Sequence, residues 1–178
     1  MNTATLSGRT YGPGVAPPPH RELPPRAPGR RPEPTEPLPV PDLRTLEALR
    51  SEINRAALAL PGPLHVVLYA LIGPEGKVNA DLAAARGFAE AQHLVVVGPP
   101  LVDILDSVDA RTGGEDPLLR RGYARARQMV TDPACAVRGV VAVSRTAITP
   151  ADRLYQDQLT WYADRRAGLW LLRGETQI

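Results

Sequence analysis

From Leu64 to the end of the chain, short unbroken apolar runs alternate with segments whose apolar residues return every three or four positions. The runs are LHVVLYAL (64–71), HLVVVG (93–98), RGVVAVS (138–144) and LWLLR (169–173). Their β-branched content and lack of polar alternation predict strands buried on both faces. The periodic segments are NADLAAARGFAEAQ (79–92), DPLLRRGYARARQMV (116–130) and PADRLYQDQLTWYADRRAG (150–168). They predict helices with Leu82, Ala85 and Ala89, then Leu119, Tyr123, Ala126 and Val130, then Leu154, Leu159, Tyr162 and Ala163 turned inward. Strand and helix in alternation predict an α/β fold, a small doubly wound domain with a mainly parallel four-stranded sheet and flanking helices. Ligands of such sheets bind beyond the carboxyl ends of the strands.

Ahead of this domain, DLRTLEALRSEINRAALAL sets Leu46, Leu49, Ile53, Ala56 and Leu60 at alternating three- and four-residue steps. Asp42 stands where an N-cap belongs, and the Pro-Gly-Pro at 61–63 ends the pattern, so 42–60 reads as an amphipathic helix. Its stripe either packs on the same chain or forms a dimer seam through Leu46, Leu49, Ile53 and Leu60. Up to Pro41 the composition is different. Twelve of the 20 prolines fall there. Proline lacks an N–H and fixes φ, so residues 1–41 are predicted to be a disordered, locally extended tail. PPPHRELPPR and RRPEPTEP suit either a solvated tether or a ligand for the aromatic groove of a protein partner.

Charge changes this picture little. The net charge is +2, and 20 of the 21 basic residues are arginine. With abundant Ala, Gly and Pro, that bias fits a GC-rich genome, so a DNA partner is permitted but not indicated. Only eight residues are aromatic, so the core must be built mainly from Val, Leu and Ala. Cys135 is the single cysteine, which excludes an intrachain disulfide and a cysteine-based metal site. No apolar run approaches the roughly 18–20 residues of a membrane span. The start, MNTATLSGRTYGPG, has no apolar signal core. The expectation is a cytoplasmic protein with no membrane partner.

The strand-end loops hold the candidate chemistry. IGPEGKVNA spaces its glycines G-x-x-G, and Lys77 is not followed by Ser or Thr, so neither the P-loop nor the dinucleotide fingerprint is met. Asp103, Asp106 and Asp109 share a three-residue spacing, but the glycine and terminal glutamate of a calcium loop are missing. The region reads as a solvated loop or a short polar helix. His20, His65 and His93 are scattered. Ser144 has no adjacent base. Arg145 could pair with an acidic loop residue.

Five segments follow one another in a recognisable order: VVLYALIG, LAAARGFAEAQ with HLVVVG, RRGYARARQMV, RTAITP after the third strand, and LYQDQLTWYADRRAGLWLLRGE. In order, spacing and apolar pattern, these two thirds of the chain resemble the catalytic domain of serine site-specific recombinases, the resolvase–invertase family. The resemblance places Tyr69 in that family's Tyr-x-Arg-x-Ser strand, with Leu71 at the arginine and Gly73 at the nucleophile. It places Arg120 at a functional arginine, Thr146 at an aspartate, and Ala147 and Pro150 at two further arginines. The family's chemistry is a phosphoserine link to DNA with arginines around the phosphoryl transition state. Glycine cannot attack, and leucine, alanine and proline cannot stabilise that charge. The family also continues past the last strand into a dimerisation helix and a DNA-binding domain, whereas the added elements here are N-terminal.

The expectation is therefore a catalytically inactive resolvase-like domain, a pseudo-enzyme without catalytic residues, metal or cofactor, serving as an interaction or regulatory module. Self-association through the 42–60 stripe and recruitment through the tail would be its means. The alternative is a DNA- or phosphate-ligand-binding accessory protein linked to DNA recombination. Its contacts would be Arg120, Arg121, Arg125, Arg127 and Arg145, lining the strand-end cleft.

Overall fold

The computed structural model describes residues 43–73, 78–104 and 115–175. The proline-rich tail, Lys77, Asp106 and Asp109 lie outside these residues. One sheet holds β1 (His65–Ile72), β2 (Val95–Val96), β3 (Leu101–Ile104), β4 (Val137–Ala142) and β5 (Gly168–Leu171). Every strand pair in it is parallel. Helices α1 (Leu43–Leu58), α2 (Val78–Ala91), α3 (Arg121–Thr131), α4 (Arg145–Ile148) and α5 (Asp152–Asp164) flank it.

The sheet has the expected four rows, with the second row split in two. β2 pairs with the start of β1 (His65↔Val95) and β3 with its end (Tyr69↔Leu101 to Ile72↔Ile104). The other edge of β1 is taken by β4, so β2 and β3 share one side. Pro99 and Pro100 fall at the break, where neither can donate a ladder hydrogen bond. The row order is β2/β3–β1–β4–β5.

Both faces of the sheet are buried, as the unbroken apolar runs require. Val67 and Tyr69 of β1, Val140 and Ala142 of β4, and Leu169 and Leu171 of β5 belong to one core with residues of α1, α3, α4 and α5. Their alternate neighbours Val66, Leu68, Val141 and Trp170 belong to a second core with Ala85 and Ala89 of α2. Side chains that alternate at a period of two build both layers from the same strands.

α1 resolves the choice left open for its stripe. Leu46 and Ile53 are buried in the first core and Leu49 packs against it, so these three are not a free dimer seam. Leu60 lies past the helix end and is half-buried. Ala57, not Ala56, is the inner alanine. Asn54, which a hydrophobic template assigns to solvent, is buried against β5. It donates to the Leu169 carbonyl and accepts from the Leu169 N–H, both at 2.8 Å. The last described residues are tied to α1 as well, because the Glu175 carboxylate binds the Arg50 guanidinium through two hydrogen bonds.

Three inner positions read from the sequence move. Leu119 is exposed, because residues 117–119 form a separate 3-10 turn capped by Asp116, and extended backbone at Arg120 precedes α3. On α5, Ala163 is exposed and Leu154 half-buried, while Tyr155 and Gln158 face inward with Leu159 and Tyr162. Among the described residues no helix is long and apolar enough to cross a membrane.

Candidate functional site

The carboxyl ends of β1, β3 and β4 meet the starts of α3 and α4, and a polar network fills that junction. Asp103, read from the sequence as part of a solvated loop or a short polar helix, is in β3 opposite Leu71 of β1. Its carboxylate accepts from the N–H groups of Gly122 at 2.8 Å and Tyr123 at 3.0 Å. Arg120 occupies the N-cap position of α3 but has no side-chain acceptor to offer, so the capping carboxylate comes from β3. Gly122 makes the approach possible: a Cβ there would lie 2.8 Å from Asp103 Oδ2.

The same carboxylate accepts from the Tyr69 hydroxyl at 3.1 Å, and that hydroxyl accepts from Arg120 Nη1 at 3.1 Å. Arg120 also donates to the carbonyls of Ala147 (2.7 Å) and Ile148 at the end of α4. A phenol thus relays the charge of a buried guanidinium to a carboxylate. Burial raises the Tyr69 phenol well above the ordinary tyrosine range, with Arg120 opposing and Asp103 adding to the rise. The neutral phenol can then donate and accept at once. Removing the arginine would leave two buried carbonyls without a donor.

α4 is set by Ser144, whose hydroxyl caps it through the Ala147 N–H at 3.2 Å and lies 2.8 Å from Thr146 Oγ1. Arg145 is buried. It forms an ion pair with Asp152, donates to the Pro150 carbonyl at 3.0 Å and lies over the Tyr155 ring. An acidic partner is therefore present, but it is the first residue of α5 and not a loop residue, and the buried guanidinium does not face solvent. Arg120 is corrected in the same way, because its Nη donors serve the chain's own oxygens. Arg121 and Arg125 are exposed, and Arg125 donates to Gln128 on its own helix at 2.7 Å. Arg127 turns toward α5. Arg120, Arg127 and Arg145 thus have partners within the chain, and Arg121 and Arg125 are the exposed pair of the five.

Of the positions singled out by the resemblance, Leu71 packs against the first core and Ala147 is buried in it. Gly73, Thr146 and Pro150 are exposed around the same junction. Among the described residues, no group of three or more His, Cys, Asp and Glu side chains is placed to hold a metal ion. The chemistry of the junction is that of structural hydrogen bonding: a phenol far from titration at neutral pH, a helix-capping carboxylate, and a guanidinium closing a turn. Sequence reasoning singled out Asp103 for its spacing with Asp106 and Asp109 and missed its place in a strand. The alternation Leu101–Asp103 was the available signal. No protein-family model and no curated protein matches the sequence.

Proposed function

We propose that the chain is a catalytically inactive, recombinase-like α/β domain that works as an interaction or regulatory module. The observation that carries this reading is the use of Arg120. It stands where the resemblance expects a functional arginine, yet its Nη donors bind Tyr69 and the two carbonyls of α4. Leu71 and Ala147 strengthen it, because apolar groups at the positions of two arginines give a scissile phosphate no counter-charge. The order of the parallel rows, with the strand-end junction between β1, β3 and β4, supports the scaffold half of the reading.

Ser144 is the serine hydroxyl at the junction, and its oxygen caps α4. Incubation with supercoiled plasmid, followed by denaturing separation, is expected to yield neither strand breaks nor a covalent protein–DNA species. A phosphoseryl–DNA adduct that disappears in Ser144→Ala would overturn the proposal. The accessory DNA-binding alternative loses Arg120 and Arg145 as contacts at the strand ends and retains the exposed Arg121 and Arg125.

A further inference from the structure

A second cluster of charged and aromatic side chains lies between α3 and α5. Trp161 of α5 is half-buried, and two guanidinium groups lie over its indole. The central carbon of Arg127 is 3.9 Å from the ring centroid and that of Arg165 is 4.3 Å from it. Each arginine is steered by one oxygen: Arg127 donates to Gln158 Oε1 at 3.2 Å, and Arg165 to the Trp161 carbonyl at 3.2 Å. Gln158 is fixed in turn by the Tyr123 hydroxyl at 3.1 Å. The Arg127 side of the cluster is therefore built on the core, and Arg165 closes it from the exposed end of α5.

Its charge is left open. Arg50, Arg145 and Arg173 each have a carboxylate partner, whereas neither Arg127 nor Arg165 is within ion-pair distance of one among the described residues. Burial lowers the pKa of Arg127, and repulsion from Arg165 adds to that against opposing contributions from Tyr123, Tyr162 and Asp116. Neither guanidinium is neutralised by a carboxylate, so each can take an anionic oxygen at its outer N–H edge. α3 carries three arginines and no acidic residue, and the exposed Arg166 follows Arg165. Asp157 and Asp164 on α5 are exposed and pair with none of these arginines.

We propose that Arg127, Trp161 and Arg165 form a contact site for the phosphodiester backbone of a single-stranded nucleic acid. A guanidinium stacked on an aromatic ring keeps its in-plane N–H edge for bidentate binding of phosphate. Holding both side chains against the ring lowers the ordering cost on binding. Single strands are favoured because unpaired bases can stack on the outward faces of the guanidinium planes beside the phosphate. The site is distinct from the strand-end junction and stands whether or not that junction is catalytic.

The test is fluorescence anisotropy of the full chain with a labelled oligothymidylate across a salt series, together with tryptophan emission. Binding that weakens with salt is expected. The double variant Arg127→Gln/Arg165→Gln should weaken it at least about tenfold and reduce the salt slope by about 2. Arg121→Gln/Arg125→Gln should change affinity much less. The ligand-induced emission change should vanish in Trp161→Phe, because the other tryptophan, Trp170, is buried. Should circular dichroism show the double variant unfolded, Arg165→Gln alone, at an exposed position, carries the comparison. The proposal is overturned by absence of binding at low salt, by full affinity in the arginine variants, or by tighter binding of duplex than of single strand. Binding of polyglutamate without binding of the oligonucleotide would also overturn it, in favour of an acidic protein partner.

Discussion

Asn54 presents its amide to one residue of β5 and satisfies both the N–H and the C=O of Leu169. β5 is the last row of the sheet, and without this amide those two groups would face the apolar side of α1. Each buried polar group left unpaired costs about 1–3 kcal/mol. Asn54→Leu is therefore expected to lower unfolding free energy by about 2–4 kcal/mol. The urea midpoint should fall with the slope unchanged. An unaltered midpoint would mean that the amide contributes nothing net. This residue shows where sequence reading stops. A helical template counts asparagine as polar and turns it outward, and it cannot tell Ala56 from Ala57, since a methyl group carries little signal. Leu46 and Ile53 were legible because large apolar side chains at one spacing have few other places to go.

At the scale of elements, β4 and β5 are joined through an aromatic lid. Gly139 and Gly168 are register partners, and the Trp170 ring lies over both. A Cβ at Gly139 would come within 2.5 Å of that ring and within 2.8 Å of the Gly168 carbonyl. At Gly168 the approach would be 2.1 Å. Gly168→Ala is expected to destabilise by about 1–3 kcal/mol through overpacking. Combining it with Trp170→Leu should cost less than the sum of the two single changes, as a thermal-unfolding double-mutant cycle would show. Strict additivity would exclude the contact. The existence and type of the long elements were legible from periodicity. The split of the second row was not, because β3 follows a Pro-Pro pair and holds a half-buried aspartate, two features that argue locally for a loop. The late start of α3 has a similar origin: Asp116 and Pro117 are good start signals, and they open a 3-10 turn instead.

Across the whole molecule, the four described tyrosines are the largest fully buried side chains. Burial pushes the Tyr123 phenol up to about 12, and it raises Tyr69, Tyr155 and Tyr162 as well. A phenol with a raised folded-state pKa contributes stability that is complete below the unfolded value of about 10 and is lost as pH rises through the folded one. The fold should hold to about pH 10 and then unfold cooperatively as the pH climbs toward 12, with phenolate absorbance and loss of far-UV circular dichroism rising together. Separate titration of these phenols near pH 10 in an intact fold would contradict their burial. Three of them line the surroundings of the polar junctions: Tyr69 in the Arg120 relay, Tyr155 beneath Arg145, and Tyr123 on Gln158. The strand-end junction was legible as a place, since parallel strands point there. Its contents were not, because whether an arginine faces solvent or its own backbone depends on loops that periodicity does not describe.

The central claim is that Arg120 holds α4 against β1 and is not a ligand contact. Equilibrium urea unfolding of Arg120→Gln tests it most directly. The account predicts a loss of about 2–4 kcal/mol, because the Ala147 and Ile148 carbonyls lose their donor in a buried setting. Arg120→Lys should not restore it, since a single ammonium cannot span the fork of acceptors. A midpoint and slope equal to those of the unaltered protein would contradict the account and return the guanidinium to the list of groups free to bind phosphate.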